Sequence, residues 1–359
     1  MKRATYLIII LTALSCSDSS DIGTTIPGGG NQNNWLVPTN QVLDGGVGKD
    51  GIIALVNPGL IEPSNATYLQ DEDLVVGYRV GDDFRAYPHK ILDWHEIIND
   101  DLGSQSVAIT YCPLTGTAIG WNRLLDGQIT TFGVSGLLYN TNLIPYDRLT
   151  DSNWSQMRLD CINGNFLGDQ ISTYQVVETT WGTWKEMFPS TMVVSDNTGL
   201  GRPYGLYPYF DDNGADYRID PFLIFPIEID DSRLPRKQRV HGLIINGHAK
   251  VYPLSEFENE TTLIEDSFQG TELIIIGDQQ RNLVNSFKKA LPDGSILDFT
   301  PVQNQLPAVL SDNEGNLWDI FGVALSGPRA GQKLVPTQSF IGFWFSWGTF
   351  YPGAEIYGM

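Results

Sequence analysis

Between Ala86 and Gln156 this sequence sets residues whose types can do chemistry among apolar runs: His89, His95, Glu96, Cys112, Ser135, Asp147 and Gln156. Cys112 ends a predicted strand and Pro113 halts it, a position at which sites are often built. A cysteine nucleophile needs a base and donors for the oxyanion it creates. His95 or His89 can supply the base, Glu96 or Asp100 can orient it, and the backbone N–H groups of Gly116 and Thr117 can face the oxyanion. His95, Cys112 and Glu96 are also ligand types for zinc or copper, although their spacing matches neither a zinc finger nor an HExxH helix.

Each of these residues has a structural reading beside the chemical one. Cys112 and Cys161 can close a disulfide in an oxidising compartment, or lie buried as free thiols. His89 and Asp93, and likewise Glu96 and Asp100, stand at i,i+4 on a helix predicted over His89–Asp100. The first pair can satisfy each other, and the second can be a solvated acidic face. Asp147, Thr150, Asp151 and Ser152 suit a turn before Trp154. Gly133-Val-Ser135-Gly136 lacks one residue of the G-x-S-x-G spacing, so it does not make Ser135 a hydrolase nucleophile. Asp211 to Asp216 has the acidity of a calcium loop with the wrong ligand order. His241 and His248 read as surface or capping residues. Two function classes stay open: a cysteine- or metal-dependent enzyme with its pocket in this stretch, and a ligand-binding or scaffolding protein in which Cys112 and Cys161 are structural.

The elements that must position these residues are mostly strands. Glycine (37) and proline (20) are plentiful, which favours turns and short strands over long helices. Leu74–Val80 and Phe84–Tyr87 flank Gly81-Asp82-Asp83 as a hairpin. Val107–Tyr111, Ala118–Trp121 and Gln170–Thr179 read as strands, and Trp181–Phe188 as a short helix ended by Pro189. Val75–Pro88 aligns without a gap with Val240–Pro253. Trp154 matches Trp318, and Thr180–Trp184 matches Ser346–Phe350, all at a spacing near 165 residues. The expectation is a mainly β fold with short helices (α+β), built as two homologous lobes by internal duplication. Lobe one covers 49–198, a connection 199–239, and lobe two 240–359. At matched spacing His95 falls on Glu260, Cys112 on Gly277, and Ser155-Gln156 on Asp319-Ile320, so the distinctive polar residues belong to lobe one alone.

The chain has 359 residues, 42% hydrophobic and 18% charged, a composition that can bury a sizeable core. A formal charge of −20 repels phosphate backbones and excludes nucleic acid as an expected partner. Lys2 and Arg3 precede a short apolar run, Ala4–Leu14, and then Ala13-Leu14-Ser15-Cys16. Residues 1–16 therefore read as a lipoprotein signal with Cys16 as the lipidated residue. Residues 17–48 form the expected flexible tether, with the expected partner the membrane that holds the lipid. This places the protein in the bacterial envelope, outside the cytoplasm.

Several stretches carry a family resemblance. They are Ala86-Tyr-Pro88, His95-Glu96 with Asn99-Asp100, Tyr111-Cys-Pro-Leu114, Phe132-Gly-Val-Ser-Gly136, Tyr146-Asp-Arg148 and Trp154-Ser-Gln156. Together with Phe343-Trp-Phe-Ser-Trp347 and Phe350-Tyr-Pro352 they resemble the domain of unknown function 3179 family, from about residue 70 to the end. The resemblance implies a bacterial, extracytoplasmic protein and no particular reaction. Many members look like Cys-Pro-Leu-Cys where this chain has Cys112-Pro-Leu-Thr115, which weakens a CxxC redox or zinc-knuckle reading.

Overall fold

The structure, a computed structural model, describes residues 34–210 and 214–359; the expected leader, Cys16 and the tether as far as residue 33 lie outside the described residues. The first half opens with a hairpin of β1 (Leu74–Val80) and β2 (Asp83–Pro88), turned at Gly81 with φ +60°. Pro88 ends the hairpin and leads into α1 (His89–His95). A helix expected to reach Asp100 stops at His95 because Glu96 takes φ +56° and the chain becomes β3 (Ile97–Leu102). Ladder pairing of β3 with β4 (Gln105–Cys112) buries Ile97 and Ile98, which a longer helix would leave on different faces. β5 (Thr117–Asn122) continues that meander. A second meander follows: β6 (Phe132–Tyr139), β7 (Asn142–Asp147), β8 (Asn153–Ser155) and β9 (Asp160–Asn163). The strand expected over Gln170–Thr179 is broken, and only β10 (Val177–Thr180) is a full ladder, pairing with β1. α2 (Trp181–Met187) is capped by Thr180, whose hydroxyl accepts from the Thr183 N–H. β11 (Met192–Val194) then runs parallel to β2.

The second half opens on β12 (Arg239–Ile245) and β13 (His248–Pro253), joined by Asn246-Gly247 with both residues at positive φ, the hairpin turn that matches strand twist. β14 (Thr262–Phe268), β15 (Thr271–Asp278) and β16 (Leu283–Lys288) form one sheet, and β17 (Phe299–Pro301), β18 (Ala308–Asp312), β19 (Leu317–Asp319) and β20 (Ala324–Ser326) another. β21 (Gln338–Phe343) pairs with β12, α3 (Trp344–Phe350) follows, and β22 (Glu355–Ile356) runs parallel to β13. The protein is thus mainly β, with three short α-helices among the described residues.

The two halves share their cores. One core joins Ile119, Trp121, Phe132 and Trp154 to Val240, Phe340, Trp344 and Trp347. A second joins Val75, Ala86 and Trp184 to Ile274, Phe287, Trp318 and Phe321. One face of each half's hairpin sheet is therefore covered by the other half, while the opposite face packs within its own half, Val76, Tyr78 and Tyr87 on Ile91 and Ile109, and Leu243 and Tyr252 on Leu273 and Ile275. Buried ion pairs cross the same junction, Arg79 with Asp319 and Arg239 with Glu178.

The expected tether ends earlier than residue 48. Val37 and Val42 are buried, and Val42–Asp44 pairs with β6, so residues 34–48 are part of the folded body.

Candidate functional site

The residues picked from the sequence are all buried, and the structure distributes them. His95 ends α1, with Nδ1 2.6 Å from the Ile53 carbonyl and Nε2 2.6 Å from the Tyr204 hydroxyl. A carbonyl only accepts, so Nδ1 carries the proton and Nε2 accepts from Tyr204. Burial holds the ring below its ordinary pKa. Glu96 accepts a hydrogen bond from the Tyr209 hydroxyl at 3.3 Å, and burial raises its carboxyl to about 7. Cys112 sits at the end of β4 with its thiol 3.7 Å from the Thr141 carbonyl. Burial, aided by Glu96, pushes that thiol up to about 11, opposite to what a cysteine nucleophile requires. The N–H of Gly116, read above as an oxyanion donor, already bonds the Cys112 carbonyl at 2.8 Å.

Neither cysteine is bridged: Cys112 and Cys161 are both buried free thiols, so the disulfide alternative is corrected. Among the described residues no three His, Cys, Asp or Glu side chains gather as a ligand set, and His95, Cys112 and Glu96 each turn to the separate partners given above. Ser135 donates to the Ile144 carbonyl and accepts from the Leu137 N–H where the register of β6 slips, which makes it the clasp of a bulge. Asp147 accepts from the Thr150 N–H at 2.7 Å and from Trp154 Nε1 at 2.9 Å. Gln156 has every polar atom used, accepting from Thr117 and Asn142 and donating to Thr110 and the Thr117 carbonyl. Ser135, Asp147 and Gln156 hold strands together. His241, read as a surface residue, is buried against Ser286.

A different constellation lines a cavity of about 680 Å³ at the junction of the two halves, within the range of small-molecule sites. α1 presents His89 and Asp93 to it. β4 contributes Tyr111, the connection contributes Tyr204, Tyr207, Arg218 and Lys237, and β12 and β21 supply Arg239 and Phe343. Four groups here lack a hydrogen-bond partner among the described residues: His89 Nε2, Asp93 Oδ1, the Tyr207 hydroxyl and Lys237 Nζ. The expected mutual pairing of His89 and Asp93 is therefore absent. His89 instead lies 4.4 Å, centroid to centroid, from Tyr111, with Nε2 3.7 Å from Glu178.

Burial controls the protonation of these groups. It lowers His89 to about 4, against the pull of Glu178, which leaves a neutral imidazole at neutral pH. It raises Asp93 to about 8, against Arg218, which leaves a carboxylic acid. It lowers Lys237 to about 6, against Asp220. Arg218 is held by a fork to Asp216, Nε to Oδ1 at 3.0 Å, and stacks 4.0 Å over the Tyr207 ring. His95 reaches the cavity indirectly, because the hydroxyl it orients belongs to Tyr204. A proton donor, a proton acceptor and a neutral amine thus face one enclosed volume, an arrangement suited to acid–base chemistry.

Local pattern alone missed Lys237, Arg239, Tyr207 and Arg218, which fold onto α1 from more than a hundred residues away. One signal was available. Arg233, Arg236, Lys237 and Arg239 cluster within seven residues of a chain with only 22 basic residues.

Fold and cavity together define a mainly β scaffold of two interlocked halves with a cavity lined by ionisable side chains at their junction. Residues 49–354 match the model of a family described as a protein of unknown function (DUF3179), and the chain belongs to that family. No curated protein and no solved structure matches the chain.

Proposed function

We propose that this chain is a lipid-anchored protein of the bacterial envelope whose junction cavity binds a small polar molecule and moves a proton on it. The observation that carries the reading is the convergence of His89 Nε2, Asp93 Oδ1, the Tyr207 hydroxyl and Lys237 Nζ, all unpartnered, on one cavity. Each buried polar group left unpaired costs roughly 1–3 kcal/mol. A ligand that offers donors and acceptors here recovers that cost. Asp93 is the proton donor and His89 the acceptor. Cys112 belongs to the wall behind, where the turn Cys112–Gly116 seats Phe343 through the Phe343 N–H to the Thr115 carbonyl at 2.8 Å.

The anchor rests on the leader residues: Lys2 and Arg3, the apolar run and Ser15-Cys16. Cys16→Ala would move the protein from the membrane to the soluble fraction; an unchanged distribution would remove the anchor.

We further infer that the body is an internal duplication with copies about 165 residues apart. Matching strand order in the two hairpin sheets supports it. So do the paired contacts Trp154 to Asp147 at 2.9 Å and Trp318 to Asp312 at 2.8 Å. The Tyr87 hydroxyl donates to Asp100 and the Tyr252 hydroxyl to Asp266 in the same way. On that correspondence His89 falls on Leu254 and Tyr111 on Ile276, whereas Asp93 falls on another carboxylate, Glu258, so the proton acceptor and the ring beside it belong to one copy alone.

A thermal-shift screen of small polar metabolites against the wild-type protein, His89→Gln and Asp93→Asn tests the cavity. A ligand whose stabilisation is lost in both variants is expected. Stabilising ligands that bind both variants equally would overturn the reading.

A further inference from the structure

We propose that Lys237 is a nucleophilic amine that forms an imine with a small aldehyde or ketone bound in the junction cavity. The inference rests on the reading of that cavity as a ligand site and goes beyond it by naming the class of ligand. Most cations around the cavity are tied to carboxylates: Arg218 to Asp216, Arg239 to Glu178 and Lys90 to Asp73. Lys237 Nζ has no hydrogen-bond partner among the described residues. Its surroundings are ring faces, with the Tyr217 centroid at 2.9 Å, Phe343 at 5.1 Å and Phe345 at 5.4 Å. The amine is thus held in an aromatic wall rather than in an ion pair, and it lines the same cavity as Asp93 and His89.

An ammonium cannot attack a carbonyl, so an amine used this way must lose its proton near neutral pH. Burial does this, bringing Lys237 down to about 6 against the pull of Asp220. The ring faces favour the ammonium, and desolvation, the larger effect, works against them.

The step balances within the cavity. Nζ attacks the carbonyl carbon, a C–N bond forms, and the carbonyl π electrons move to oxygen, which takes the Asp93 proton. His89 Nε2 takes a proton from the nitrogen. The nitrogen lone pair then expels the hydroxyl group, which leaves as water with the proton that His89 returns. The products are an iminium on Lys237, the Asp93 carboxylate, neutral His89 and one water, with no oxidant or reductant consumed. The iminium is an electron sink for a bond adjacent to the former carbonyl, and its charge is offset by the carboxylate left on Asp93.

The test is reductive trapping on the full-length protein. Pyruvate, acetoacetate and glycolaldehyde are each added with sodium cyanoborohydride, and adducts are located by intact-mass and peptide mass spectrometry. One adduct per chain, on Lys237, is expected with at least one probe. It should be lost in Lys237→Arg and Lys237→Met, with circular dichroism and melting temperature confirming that both variants fold. Adducts spread over exposed lysines, or an adduct that persists in folded Lys237→Arg, would overturn the proposal. The thermal shift from the same probes separates the two levels. A probe that stabilises the wild type in a manner dependent on His89 and Asp93, yet leaves no adduct on Lys237, overturns the imine and leaves the cavity a binding site. No adduct together with no such stabilisation overturns both.

Discussion

Asp93 reports on the cavity through its titration. Its carboxyl moves from an ordinary 3.8 to about 8 because it is buried with Arg218 and Asp216 as the charged groups facing it. Between those values the folded chain holds a proton that the unfolded chain has released, so stability falls as pH rises across the window. His89 works the other way at lower pH. Its imidazole is lowered from 6.5 to about 4, so the folded chain holds fewer protons there and stability rises with pH across that span. Asp93→Asn should therefore raise the melting temperature more at pH about 8 than at about 5. An equal change at both would mean that Asp93 is not buried as a neutral acid. The thiols give a second prediction at this scale. Cys112 and Cys161 are buried and unbridged, so neither should react with a thiol reagent in the native protein and both should react after denaturation without reductant. A missing pair of thiols in the denatured protein would show a bridge. The sequence made His95, Glu96 and Cys112 visible because they are close in the chain. It hid Lys237 and Tyr207, whose meeting with α1 depends on how the connection folds back.

Local turn chemistry made the elements legible. The hairpin at Gly81 and the helix at Trp181 follow from short-range preferences and form where the residues point, whereas the helix of the matched C-terminal stretch starts at Trp344, three residues before the aligned Trp347. α1 is shorter than its pattern because pairing of β3 with β4 is a tertiary effect that no i,i+4 spacing records. The hairpin sheets depend on one close approach each. A Cβ on Gly77 would lie 2.0 Å from the Trp184 ring, and one on Gly242 2.2 Å from the Trp347 ring. Gly77→Ala and Gly242→Ala should each destabilise the protein by at least about 1–3 kcal/mol, the ordinary cost of overpacking. Urea unfolding measures this, and a loss below that range at either position would contradict the packing of tryptophan on bare backbone.

At the scale of the whole molecule the halves share their packing: each buries one face of its own hairpin sheet and leaves the other face to a core built with the opposite half. Residues 34–198 expressed alone should lack a cooperative melt, because Val75, Ala86 and Trp184 would lose Ile274, Phe287 and Phe321. A fragment with a sharp transition would contradict the shared core. The Arg79–Asp319 pair spans the junction with the carboxylate fully buried. Arg79→Ala should destabilise the protein by up to about 3–5 kcal/mol, the range for breaking a buried pair, because Asp319 loses its cation and is left with the N–H groups of Phe321 and Val323. The crossing of the two halves was not legible in the sequence, because apolar periodicity shows which face is buried and not against what.

The most direct test of the account is an experimental structure of the protein, purified from the cells that make it without added ligand and refined with its hydrogen-bonding partners resolved. The account predicts an organic molecule in the junction cavity within hydrogen-bond distance of at least two of His89, Asp93, Tyr207 and Lys237. Direct pairing of His89 with Asp93 and of Lys237 with a carboxylate, in a cavity holding no such molecule, would contradict it.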